Sequence, residues 1–401
     1  MPSYGPKPDL KLAPRLAGIV DQDYPKFSAG EIARRRALVA QAMDKAGVDH
    51  LVAYASFFAG GPVHWLSDWS TTYEAVLIFT PERQDTIFVQ FYNHLPQARA
   101  VMTDADMRWG GASTIQSVIG ELKRRGAASR RVGAVGMLPM GYFKALAAVY
   151  EDVVDLNPAY FGLRLVKSAE EVDWYRIAAR LSDLSIEALR RELRPGLDEG
   201  DLGAITEGAY LPWRGSNVIH FFGATSMHAP QAFVPRQHLT RRKLANGDVI
   251  SCEITANFWN HGGQVLRTFT IGEPFTPLYQ KLHDTADSAF DAIFQMLRAG
   301  RHVRELAVGA KIIEDAGFSF YDDLVHGFGG GYLLPIVGSP TRGHEPLPDR
   351  TLEAGMMMVI QPNVITTDQT AGVQTGELVL VTDTGAESLH TAPRGPFHIG
   401  A

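Results

Sequence analysis

The stretch Gly247 to Gly272, GDVISCEITANFWNHGGQVLRTFTIG, alternates as a strand does, carries a Gly-Gly pair at 262–263, and continues as a second strand. A period of two puts Val249, Ser251, Glu253 and Thr255 on one face and Ile250, Cys252 and Ile254 on the other. A carboxylate among apolar neighbours in mid-strand is costly to bury unless a partner meets it. A turn at Gly262-Gly263 is expected to return Gln264 beside Glu253. That arrangement is a polar centre inside a sheet.

Outward from this hairpin, the chain of 401 residues is long for one hydrophobic core and points to two domains. Its composition, 45% hydrophobic and 20% charged, is that of a soluble globular protein. A formal charge of −6 gives no electrostatic footprint for nucleic acid. One cysteine, Cys252, excludes an internal disulfide and a cysteine-cluster metal site, and its place on the apolar face marks it as a core residue. The N-terminal MPSYGPKPDLKLAPRL has no long apolar run, so neither signal peptide nor membrane anchor is expected and the location inferred is cytoplasmic.

Residues 1–27 are rich in proline and polar residues and read as an extended arm over the surface. Ser28 with Glu31 forms a capping box for a helix reaching about Lys45. Apolar runs LVAY, AVLIF and TIFVQF then alternate with helical stretches, which predicts a mixed α/β layer domain over 1–162 with no Gly-rich phosphate loop. Within it, HWLSDWSTTYEA (64–75) sets Trp65, Trp69 and Tyr73 close to Asp68 and Glu74, either as a cap on the core or as a substrate-facing wall. From about residue 163 the pattern changes to a linker strand and a long amphipathic helix with a Ser168/Glu171 capping box, ended by Pro195-Gly196. Strands with glycine turns and two further helices, about 278–298 and 303–316, fill the second domain, 163–401.

The second domain resembles the pita-bread family of methionine aminopeptidases, proline-specific aminopeptidases and creatinase. LRLVKSAEEVDWYRIAA is similar to its interdomain helix, GDVISCEI with RTFTIGEP to its metal-strand hairpin, and HGFGGGY to its His-Gly-x-Gly loop. LEAGMMMVIQPNV and GVQTGELVLVTDTGAESL are similar to its last two strands. The resemblance spans roughly 163–391 and implies an α/β (α+β) protein: a pita-bread catalytic domain preceded by a smaller domain of creatinase type. It also implies a homodimer.

Metal-dependent members of that family hold two ions through Asp, Asp, His, Glu and Glu. Those positions here carry Glu253, Gln264, His326, Gln361 and Gly376, with Glu377 one step on. Divalent ions want anionic oxygens or imidazole, and two amides and a glycine strip most of that charge. The expectation is therefore a metal-independent enzyme with no cofactor, a single ion at Glu253, His326 and Glu377 remaining the alternative. Creatinase, the family precedent for metal-free catalysis, works through a loop histidine, and His228 in FFGATSMHAPQAF falls in a similar place. The catalytic set expected is His228, Glu253, His326 and Gln361.

Gln264, Trp213, Trp259, Tyr332, Trp65, Trp69 and Glu377 are the expected substrate contacts, with Phe258 at the rim and Gly376 enlarging the pocket. Creatinase's carboxylate-binding arginine has no counterpart in LSDWSTTYEA, and a later one falls near Arg342 and His344. Leu266 and Leu333 replace a further glutamate and histidine of relatives, which argues against creatine and against proline-specific peptides. Three functions stay open on the residues: a metal-independent hydrolase of a C–N bond in a small molecule, with His228 as proton shuttle; a lyase on a small, aromatic substrate; and a non-catalytic binding module. The partner expected is a small molecule, with no nucleic acid and no membrane.

Overall fold

Two serine-capped helices set the frame. In this computed structural model, which describes residues 7–56, 61–126, 130–329, 331–338 and 347–400, the Ser28 hydroxyl accepts the Glu31 N–H at 3.1 Å and opens the helix Ala29–Ala46. Gly47, at φ 65°, closes it in the left-handed conformation that glycine adopts without strain. Ser168 and Glu171 make both halves of a capping box for the helix Ala169–Glu192.

The chain divides into two units, Asp21–Arg164 and a larger one joining Met1–Val20 to Leu165–Ala401. The smaller unit is built on a six-stranded sheet in the order Asp106–Trp109, Thr86–Val89, Glu74–Phe79, Leu51–Ser56, Arg131–Val135, Asp152–Asp155. Leu51, Ala53, Leu77 and Ile87 pack on one face, against Trp65 and Trp69; Val52, Val76, Ile78 and Phe88 pack on the other, against the helix Thr114–Arg124. The continuous apolar runs of these strands follow from burial on both faces.

Residues expected to form a surface arm of the first domain instead join the larger unit. Pro14–Val20 is helical, Arg15 Nη2 bonds Asp173 at 2.6 Å, and Arg180 Nε donates to the Leu10 carbonyl at 2.8 Å. The long helix Ala169–Glu192 supplies both anchors, a role no local pattern in residues 7–20 announces.

The larger unit holds a nine-stranded sheet among the described residues. Its main path runs Tyr332–Val337, Val325–Phe328, Met357–Ile360, Gly376–Val381, His261–Ile271, Asp248–Phe258, Ser216–Ser226. A second sheet pairs Ser319–Phe320, Asn363–Ile365 and Gly372–Gln374. The hairpin turns at Trp259-Asn260, whose φ values of 46° and 65° are those of a tight hairpin turn, and not at Gly262-Gly263 as expected. Gly263 lies in the strand for a different reason. A Cβ there would sit 2.3 Å from the Ala179 Cα and 2.4 Å from the Ala178 carbonyl carbon, so the glycine lets the helix Ala169–Glu192 lie directly on the sheet. Ser182 Oγ on that helix accepts the Ala256 N–H at 2.9 Å and fixes the contact. No helix among the described residues is long and apolar enough to cross a membrane.

Candidate functional site

Because the turn falls at 259–260, Gln264 pairs across the ladder with Thr255 and Leu266 with Glu253. Gln264 is therefore a diagonal neighbour of Glu253 on the same face, within reach of a long side chain. Its Nε2 donates to Glu253 Oε1 at 2.7 Å and to Gln361 Oε1 at 3.1 Å. One amide nitrogen thus links three of the expected residues. Gln361 is fixed in turn by its N–H, which donates to the Leu324 carbonyl at 2.9 Å, just before the strand that carries His326.

Glu253 is half-buried by its own surface but sits in a dry setting. Burial pushes its carboxyl up to about 8; the Asp322 charge adds to the rise, and the Gln264 hydrogen bond offsets part of it. Asp322 was missed in the sequence, where its only signal is a pair of acids in FYDDLVHG shortly before His326. His326 is buried, its Nδ1 donates to the Gly327 carbonyl at 2.9 Å, and its ring stacks on Tyr332 at 4.0 Å and 23°. That bond leaves Nε2 as the lone-pair nitrogen of the neutral ring.

Other expected residues lie elsewhere. His228 is exposed and bonds Glu273 at 2.9 Å, beside Gly247 where the first hairpin strand begins. Glu253 stands about 20 Å further along that strand at about 3.3 Å per residue. The chain turns back after Met227, and it is Arg236, bonded to the Phe222 carbonyl at 2.8 Å, that returns to the level of Cys252, one residue from Glu253.

Glu377 is buried on the opposite face, where Arg267 Nη2 holds it at 2.7 Å and Ser388 also donates to it. It is a structural ion-pair partner, not a substrate contact. Gly376 does not enlarge a pocket: a Cβ there would meet the Ile360 oxygen at 2.5 Å, Leu266 Cδ1 at 2.8 Å and Gln361 Cα at 3.0 Å. Trp65 and Trp69 are core residues of the smaller unit, packed against Tyr160 and Tyr24. Phe258 is fully buried against Trp174, Trp213 donates to the Pro8 carbonyl at 2.9 Å under Lys7, and Trp259 forms the hairpin turn. Of the expected aromatic wall, Tyr332 alone stands with the site residues. Arg342 and His344 lie outside the described residues.

The donors present do not fit a pair of divalent ions. Across the five positions they comprise one carboxyl held up near 8, one imidazole, two amides and a glycine. The central amide nitrogen turns N–H groups toward the two oxygens that a cation would need. No group of three or more His, Cys, Asp or Glu side chains among the described residues is placed to hold a metal.

The sequence profile of metallopeptidase family M24 matches residues 173–383. The Xaa-Pro dipeptidase of Pyrococcus furiosus is 22% identical over 233 residues, covering 58% of this chain and 65% of its own length. The chain thus spans just under two thirds of that relative. Among solved structures, the X-Pro aminopeptidase from Thermotoga maritima superposes with a TM-score of 0.78 at 18% identity, covering 91% of this chain and 99% of that one. Dipeptidase PepE from Mycobacterium ulcerans does so with a TM-score of 0.74 at 23% identity, covering 94% and 100%. The pita-bread fold expected from the resemblance is the fold observed. The function expected is overturned. Relatives and neighbours carry the names of peptidases, Xaa-Pro dipeptidases among them. A small-molecule C–N hydrolase set apart from peptide cleavage, a lyase and a binding module all run against that company.

Proposed function

The chain belongs to metallopeptidase family M24, and from that premise we propose that it is a peptidase acting on short peptides, with Glu253 as its acid–base group. The observation that carries this is the desolvated Glu253 carboxyl, pushed up to about 8 by its burial and held in orientation by the Gln264 amide at 2.7 Å. A group with that titration serves both directions of proton transfer at working pH.

In its ionised form Glu253 takes a proton from a water as the water oxygen bonds to the peptide carbonyl carbon. It returns that proton to the amide nitrogen as the C–N bond breaks, releasing an acid and an amine. Gln361, whose oxygen is engaged by Gln264, turns its own amide nitrogen to the developing oxyanion as a donor. The His326 ring, fixed by Gly327 and Tyr332, is a wall of the same site. Since the donor set does not fit the metal pair implied by the family's name, no step runs through a metal, and proton transfer rests on Glu253.

Release of free amino acids from a panel of dipeptides, Xaa-Pro sequences included, tests the reading. Wild-type protein is expected to cleave members of the panel, and Glu253→Gln to reduce turnover by about 10²–10⁴-fold. A panel left uncut, or a Glu253→Gln variant as active as wild type, refutes it.

A further inference from the structure

At the level of Glu253 the sheet is otherwise apolar. Its direct partners across the ladder are Phe221 on the strand Ser216–Ser226 and Leu266 on the strand His261–Ile271, and Gly376 pairs with Leu266 beyond. Direct partners share a face, with Cβ atoms about 4.5–5.5 Å apart. Leu266 is fully buried, whereas Phe221, like Glu253, is half-buried. Part of the Phe221 side chain is therefore open to solvent beside the one acid of that row.

The next position on this face of the strand is Ile219, also half-buried and paired with Thr255. In the other direction stands Gly223, where a Cβ would meet the Val234 oxygen at 2.9 Å and Pro235 Cα at 3.1 Å. The chain at Val234-Pro235 thus lies on the sheet one step from Phe221 and bounds the apolar strip there. On the reverse face of the strand, Phe222 and Ala224 belong to a core with Ile254 and Phe269 that includes neither Phe221 nor Ile219. That core accounts for Phe222 and Ala224. It does not account for two accessible apolar residues in register with Glu253 and Thr255.

Apolar surface left open beside a reacting group favours a ligand that covers it. Resting on the peptidase reading above, we propose that Phe221 is a specificity-determining residue: its ring, with Ile219, is the wall on which a bulky apolar side chain of the peptide packs, next to the bond that Glu253 acts on. The favoured peptides carry leucine or phenylalanine at that position, and glycine there forfeits the contact.

Initial rates are to be read on dipeptides that differ only by leucine, phenylalanine or glycine, placed at each of the two positions in turn. At one position kcat/KM for leucine or phenylalanine is expected to exceed that for glycine on the order of tenfold or more. Phe221→Ala is expected to bring that ratio towards one. Should Phe221→Ala fail to fold, Phe221→Thr, β-branched and suited to a strand, carries the same expectation. Equal kcat/KM for the apolar and glycine peptides at both positions overturns the proposal, and so does a ratio that the variant leaves intact. If no dipeptide is cleaved, the peptidase reading fails separately, and calorimetric titration with leucinamide and glycinamide decides this one. Tighter leucinamide binding that the Phe221 variant abolishes supports it; equal or absent binding, or a preference that survives the variant, overturns it.

Discussion

Glu253 carries its proton at a pH where ordinary glutamates have lost theirs, because burial and the Asp322 charge both disfavour the anion. A folded-state value raised above the unfolded one contributes stability that is fully present below about 4.5 and is lost as pH rises through about 8. Thermal melts from pH 4.5 to 8.5 should therefore show a falling contribution in wild type, and Glu253→Gln should flatten it. The rate runs the other way if the ionised form is the base. The pH–rate profile is expected to rise with an apparent value near 8, and a profile flat from pH 6 to 9 contradicts that role. At this scale the sequence was readable where alternation applied, since Glu253, Gln264 and Gln361 do meet. It was unreadable where a loop decides: nothing local to FFGATSMHAPQAF tells that the chain reverses after Met227 and leaves His228 outside. Aromatic residues misled for a related reason, since Trp65, Trp69 and Phe258 fill cores as well as they would line a pocket.

The hairpin and its covering helix were legible as elements, but their registers depended on contacts distant in sequence. Gly262-Gly263 looked like a turn; the helix Ala169–Glu192 resting on Gly263 is the reason for the glycine. Gly263→Ala has to displace helix backbone and should destabilise by about 1–3 kcal/mol or more, read from urea denaturation midpoints. Gly376→Ala meets the Ile360 oxygen and is expected to act in the same range. Arg267 and Glu377, the latter expected as a substrate contact, form a buried pair that also ties down the Gly376, Ala392 and Pro393 carbonyls. Removing one partner by Glu377→Ala strands a buried guanidinium and should cost about 3–5 kcal/mol; a change within experimental error would show the pair to be solvated.

Across the whole molecule, the larger unit was legible because its motifs come in order, whereas the smaller one offered only layered α/β periodicity. The N-terminal segment is held by Asp173, Arg180 and Trp213, partners far along the chain that no local pattern announces. Family membership supports the proposal of peptide hydrolysis, which no residue pattern favours. The same comparison highlights the donor set. Restoring carboxylates by Gln264→Asp with Gln361→Glu should raise divalent-ion content after dialysis against manganese or zinc, while wild type retains no stoichiometric metal. The most direct test of a peptidase centred on Glu253 is the rate of dipeptide hydrolysis before and after exhaustive chelation. The account predicts the same rate in both; loss on chelation with recovery on adding a divalent ion would contradict it.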